Sequence, residues 1–259
     1  MKKTIIFVLA ALMIIACFAG CTREEGSDKA YIQKKGVLKV GITDYAPMDY
    51  KDENGEWIGF DADLARLVGD RLGVDVEFFV LADWGQKFNE LNTKNIDAAW
   101  NGMTITEEVL LNSSCTEPYA VNAQVLVMKA EQIGNYTTPE SIKGLNLAVE
   151  KGSAGEAELQ ELGIGDYVAV QDQGSALMEV KAGTSDGCVV DITLANAMIG
   201  DGTSYSDLAS GLRLSSEEFG IAFRKGSDLV EEVNRIMDEL KADGTLQKLA
   251  EKYNVALTD

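Results

Sequence analysis

Ile96-Asp97-Ala98-Ala99-Trp100-Asn101-Gly102-Met103-Thr104-Ile105-Thr106-Glu107-Glu108-Val109 passes from an apolar run into polar groups and then into acids. Ile96 to Trp100 reads as a strand. Thr106, followed by Glu107 and Glu108, reads as a helix cap with acids in the first turn, where the helix dipole favours negative charge. Between them, Asn101, Gly102 and Thr104 fall at the strand's carboxyl end, and glycine there permits close backbone approach. Strand, polar end and helix form the unit of an α/β protein.

Upstream, Gly36 to Ile42 and Val74 to Leu81 read as strands, with an Asn54-Gly55 hairpin turn and a helix from Asp61 to Gly73 between them. Gln86 to Asn92 is a short helix carrying Phe88 and Leu91. Downstream the pattern restarts. Strands Leu145 to Val149, Tyr167 to Val170 and Cys188 to Val190 alternate with helices at Glu156 to Leu162, Ala176 to Lys181 and beyond Asp191. Phe219 to Phe223 is a last strand. Ser227 caps a long helix, and Asp243-Gly244-Thr245 turns into a final one. Two α/β units with largely parallel sheets, plus closing helices, predict two lobes and a cleft. Ligands of open α/β sheets bind at strand carboxyl ends where the strand order reverses. Asn101 to Thr106 and Lys151 to Gly155 both sit at such ends.

Bulk properties remove several functions. The 259 residues carry a net charge of −19 and no histidine. The negative field repels phosphate backbones, which excludes nucleic acid. Without histidine there is no Ser-His-Asp or Cys-His catalysis, and most zinc sites are excluded. No metal or cofactor is expected.

Lys2 and Lys3 precede the apolar run Ile5 to Ala16, which is too short for a permanent membrane span and reads as a secretory signal over residues 1–20. Phe18-Ala19-Gly20-Cys21 and the polar residues after it resemble a bacterial lipoprotein cleavage site. Cys21 is the expected lipidated residue, with Cys17 a looser fit, and residues 21–30 a tether. Cys188 reads as a small core residue rather than as a disulfide partner of Cys115.

Several segments together resemble the periplasmic amino-acid-binding proteins of ABC importers, solute-binding protein family 3. They are Gly36-Val37-Leu38-Lys39-Val40-Gly41, Gly59-Phe60-Asp61-Ala62-Asp63-Leu64, Trp84 with its helix, Ile96-Asp97 leading to Gly102-Met103-Thr104-Ile105-Thr106, Glu117-Pro118-Tyr119, and Phe219 to Gly226. The resemblance implies an α/β, two-lobe periplasmic-binding-protein-like fold of type II with a two-stranded hinge that closes on its ligand. Lobe 1 would comprise residues 31–121 and 217–259, and lobe 2 residues 122–216. The hinge would lie at Tyr119 to Ala123 and Glu217 to Gly220. It further implies a non-enzymatic extracytoplasmic monomer, anchored to the membrane by lipid, that hands a small solute to an ABC permease.

The same resemblance assigns the site. Tyr45 and Trp84 would be aromatic walls. Asn101, Gly102 and Thr104 would meet the ligand's amino and carboxylate groups. Ser153, in a glycine-flanked loop at a helix start, would receive the α-carboxylate. Asp191 would pair with the α-amino group. Val109 departs from the pattern, because the family places there an arginine that clamps the carboxylate. Lys151 could substitute or be a surface lysine. Three readings stay open: an amino acid bound more weakly, an amine or other ligand without an α-carboxylate, or impaired binding. If Glu150 faces inward, it favours a basic or amine-bearing ligand. An enzyme on this scaffold, such as a cyclic-acid dehydratase, would have to use Glu150 or Asp191.

Overall fold

The computed structural model describes residues 26–259. The signal segment, Cys17 and Cys21 lie outside the described residues. Helix α1 (Asp28–Lys35) leads into β1 (Val37–Ile42), the hairpin β2 (Tyr50–Lys51) and β3 (Trp57–Ile58), α2 (Phe60–Leu72), β4 (Asp75–Val80), α3 (Lys87–Asn92), β5 (Ala98–Thr104), α4 (Glu107–Asn112), β6 (Ser114–Cys115) and β7 (Ala120–Asn122). The second unit follows with β8 (Gln124–Lys129), β9 (Leu147–Glu150), α5 (Ala154–Glu161), β10 (Tyr167–Val170), α6 (Gln173–Ala182), β11 (Gly187–Asp191), α7 (Ile192–Met198) and β12 (Leu208–Arg213). β13 (Glu217–Phe223), α8 (Leu229–Ala242) and α9 (Thr245–Tyr253) return to the first.

The two lobes share one strand logic. The first sheet runs β4-β1-β5-β13-β6, with β7 also on β13, and the second runs β10-β9-β11-β8-β12. In each, three parallel strands lie side by side, the earliest of them in the middle: β4-β1-β5 and β10-β9-β11. An antiparallel strand then follows: β13 beside β5, and β8 beside β11. The chain passes between sheets after β7, at Ala123, and again between β12 and β13. In both sheets the order reverses at the first strand, so β1 and β5 in one lobe, and β9 and β11 in the other, aim their carboxyl ends at a common cleft.

Apolar spacing explains the packing. On α8, Leu229, Val233, Ile236 and Leu240 are buried at helical intervals and join Phe60, Leu64 and Val68 of α2 in one core. Gly73 and Gly183 end α2 and α6 in left-handed conformation, as helix-stop glycines.

Several expectations shift. β5 extends to Thr104, four residues beyond the predicted strand, so Asn101, Gly102 and Thr104 are strand residues. The long helix starts after Asp228 rather than Ser227, although Ser227 Oγ still accepts the Leu229 N–H at 3.3 Å. Helix α1 begins inside the stretch 21–30 read as tether. Asp28 is buried because the Arg224 guanidinium binds it, with Nε 3.0 and 3.1 Å from its two oxygens. Cys115 and Cys188 are both free, one on each sheet.

Candidate functional site

The cleft is shut. Asp191 ends β11, is 3% exposed, and is surrounded by amides. Asn122 Nδ2 donates to its Oδ1 at 2.6 Å, Gln124 Nε2 donates to the same oxygen at 2.5 Å, and Gln173 Nε2 donates to Oδ2 at 2.6 Å. The backbone N–H of Asp191 donates to Gln173 Oε1 at 2.8 Å, which fixes the pair. These amides favour the carboxylate, but burial and the nearby Glu217 charge outweigh them and push Asp191 up to about 6. The Tyr45 hydroxyl faces this carboxylate without a hydrogen bond of good geometry, and burial, reinforced by Asp191, raises it well above the usual phenol range.

Asp191, Trp84, Asn101, Gly102, Thr104 and Ser153 line one small interlobe cavity of about 20 Å³, with Gln124, Glu150, Ala154 and Gln173. Tyr45 stands behind this lining, its ring packed on Gly102. Gly102 has φ +53°, and a Cβ there would come within 2.5 Å of Tyr45 Cε1. Such a cavity holds about one water molecule, so any amino acid enters only when the lobes part.

Not every side chain is free to serve a ligand as the sequence suggested. Asn101 uses its amide on the fold: Oδ1 accepts from Thr43 N and Oγ1, and Nδ2 donates to Asp49 Oδ2 at 2.7 Å. The Gly102 N–H donates to Asp61 Oδ2 at 2.6 Å. Thr104 Oγ1 donates to Glu217 Oε2 at 2.9 Å, and Glu217 also accepts from Asn122 and Gln124. Ser153 Oγ caps α5 by accepting the Glu156 N–H at 3.1 Å, while Glu156 Oε2 takes the Gly152 N–H at 2.7 Å. The loop's anion-binding capacity is thus partly used by Glu156, and the Ser153 hydroxyl proton remains to donate.

Glu150 does face inward. It is 4% exposed at the end of β9, and burial pushes its carboxyl up to about 8, with Asp191 reinforcing the rise. Lys151 points away: its Nζ pairs with Asp83 at 2.6 Å on an exposed part of the rim. Val109 is buried among Leu81, Trp84, Leu91 and Met103. It lines a second, larger cavity of about 200 Å³ at the cleft mouth, together with Trp84, Thr104, Ser153 and Lys87. Trp100 is fully buried in lobe 1.

The sequence reading missed Asn122, Gln124, Gln173, Glu217 and Lys87. Two of these carried a signal, since Asn122 and Gln124 interrupt the otherwise apolar run Ala120 to Met128. Lys87 carried another, occupying an apolar slot in the spacing Trp84, Lys87, Phe88, Leu91.

The family model for bacterial extracellular solute-binding proteins, family 3, matches residues 38–256. The chain belongs to that family. A curated relative, the L-cystine-binding protein TcyJ of Escherichia coli, is 29% identical over 252 residues, covering 95% of this chain and 94% of its own. Among solved structures, a mutant of ArgBP from T. maritima superposes with a TM-score of 0.81 at 34% identity, over 87% of this chain and 98% of that one. The ancestral amino acid-binding protein AncCDT-1, described as a precursor of cyclohexadienyl dehydratase, gives 0.79 at 31%, over 88% and 99%. The family's members are extracytoplasmic solute-binding proteins, and the relatives named here are binding proteins.

Proposed function

We propose that this family member captures an amino acid between its lobes and presents the closed form to an ABC permease, held at the membrane by a lipid on Cys21. The lobes are taken as residues 31–121 with 217–259, and 122–216. The observation that carries the reading is the convergence on Asp191. Residues from both lobes, distant in sequence, enclose a carboxylate whose two oxygens are held by three amides. A ligand ammonium would add a fourth donor and offset the burial that now raises this acid. Trp84 and Tyr45 would pack on the ligand, and Ser153 would donate to its carboxylate.

The specific ligand turns on Glu150. A buried carboxyl beside Asp191 suits a ligand with a second positive group, which favours a basic amino acid. The alternative is an amine without an α-carboxylate, which the apolar environment of Val109 supports. The same raised acid, Glu150, is what a dehydratase reading would need, and NMR of candidate ligands incubated with the protein tests for turnover.

A thermal-shift screen of the twenty amino acids, L-cystine, ornithine and common polyamines decides between amino acid and amine. A ligand of the folded state at one hundred times its Kd stabilises it by about 2.7 kcal/mol. If no amino acid shifts the melting curve while an amine does, the amino-acid reading is lost.

A further inference from the structure

We propose that Lys87 is the cation that receives the ligand's carboxylate, standing in for a cation at position 109. The proposal rests on the amino-acid reading above.

Lys87 opens α3 and is 4% exposed. Its Nζ donates to the Gly152 carbonyl of the opposite lobe at 3.1 Å and reaches the Trp84 carbonyl at 3.5 Å. The ammonium lies 5.2 Å from the Trp84 ring centroid and 4.8 Å from that of Phe88. Among the described residues no carboxylate comes within 4.0 Å of it. Asp83, one helical turn before it, is paired with Lys151 instead, and Glu90 accepts from Asn95. The carboxylates of Glu108, Glu150, Asp83 and Glu156 act on it only through space and do not outweigh its burial, so a desolvated ammonium in direct contact with neutral carbonyls and ring faces alone is incompletely compensated. An anion in the cleft completes it.

The position fits that anion. Lys87, Val109, Thr104 and Ser153 line the same cavity of about 200 Å³, which adjoins the smaller one around Asp191 through Trp84, Thr104, Ser153 and Ala154. A ligand reaching from Asp191 into the larger cavity would place its negative end between the Ser153 hydroxyl and Lys87. Val109 contributes only apolar contact there. Because the Gly152 carbonyl belongs to the opposite lobe, opening frees the ammonium to meet an incoming carboxylate. Lysine offers a point charge with three rotatable donors where arginine offers a planar fork, so the exchange trades bidentate geometry for tolerance.

Calorimetric titration of the purified protein tests this, with each basic amino acid paired with its decarboxylated amine: L-arginine with agmatine, and L-lysine with cadaverine. Lys87→Met should weaken the amino acid that binds best by about thirty-fold or more, the lower end expected for losing one partner of a buried charge pair. The paired amine should change by less than about threefold, the scale of a lost minor contact. Lys87→Arg should keep most of the affinity, and Val109→Arg added to Lys87→Met should restore part of it. If the unaltered protein binds an amino acid and Lys87→Met binds it equally well, the Lys87 assignment fails alone. Loss of amino acid and amine together in both Lys87 variants gives the lysine a structural role and also overturns it. If the unaltered protein binds no amino acid, the functional reading itself fails.

Discussion

Thr43 Oγ1, at the end of β1 in one lobe, lies 3.2 Å from Glu150 Oε1 in the other. The hydroxyl has one proton and two acceptors in reach, Glu150 and, at 2.7 Å, Asn101 Oδ1, which also accepts the Thr43 N–H. Donation to Glu150 favours its carboxylate, but burial and then Asp191 outweigh it and push the carboxyl up to about 8.

A folded-state pKa above the usual carboxylate value means the folded protein holds a proton that the unfolded chain releases. Stability must fall as pH rises from about 4.5 towards 8, with a slope approaching about 1.4 kcal/mol per pH unit from this group. Asp191, raised from 3.8 to about 6, adds to the fall at the lower end of that range. Urea unfolding of the ligand-free protein across this range should show the decline, and Glu150→Gln should flatten it between about pH 6 and 8. Equal slopes in both proteins would remove Glu150 as the cause. A cationic ligand should bind more tightly as pH rises through 8, with proton release, because it favours the ionised acid.

Asp191 accepts three amide N–H groups, so Asp191→Asn must turn an NH₂ towards at least one of them. The unpaired donor costs about 1–3 kcal/mol, partly offset by relief of repulsion with Glu217. The functional loss is larger. Any ligand bound through an ammonium should lose about thirty-fold or more in affinity, since an amide offers no charge. Calorimetry on the variant, with circular dichroism to show that it is folded, makes the comparison. Undiminished affinity would mean the ammonium is bound elsewhere.

Much of this was legible in the sequence because strand ends and helix caps are local. The stretch from Asn101 to Thr106, the Gly152–Gly155 loop and Asp191 each combine a periodic apolar run with a break in it. Lobe closure is not local. That Ser153 caps α5 while Glu156 takes the Gly152 N–H follows from one turn of helix. That Thr104 reaches Glu217 across 113 residues follows from the pairing of β5 with β13, and that Lys87 reaches Gly152 across 65 follows only from the closing of one lobe on the other. Short strands also escaped: β6 and β7 have two and three residues, too few for an alternation to register.

Arg224 ties helix α1 to lobe 1. Its guanidinium binds Asp28 and Asp97 and donates to the carbonyls of Leu91 and Ile96, with both acids nearly buried. Arg224→Met leaves two buried carboxylates, of which Asp97 keeps Lys35 and Asp28 keeps only the more distant Lys94 at 3.8 Å. Breaking such a cluster costs about 3–5 kcal/mol, or on the order of 10 °C in Tm for a chain of this size. Differential scanning calorimetry measures it. A drop within about 2 °C would show that α1 is not held through this residue.

Gly152 is the point where the lobes touch backbone to backbone. Its φ is +74°, and a Cβ there would stand 2.4 Å from both Cα and N of Gly85 in the other lobe. Gly152→Ala therefore bears two costs. The left-handed backbone is disfavoured by about 1 kcal/mol in either state, open or shut. The clash exists only when the lobes are shut, so the equilibrium moves towards the open form. Small-angle scattering should give a larger radius of gyration for the variant, and ligand should compact it less than the unaltered protein. Gly85→Ala is the control across the same gap, since its Cβ would meet Gly152 Cα at an ordinary 3.6 Å and only the flexible Asp83 carboxylate at 3.0 Å. It should close normally. If Gly152→Ala and Gly85→Ala scatter alike with and without ligand, the backbone contact does not limit closure, and the lobes meet elsewhere in solution.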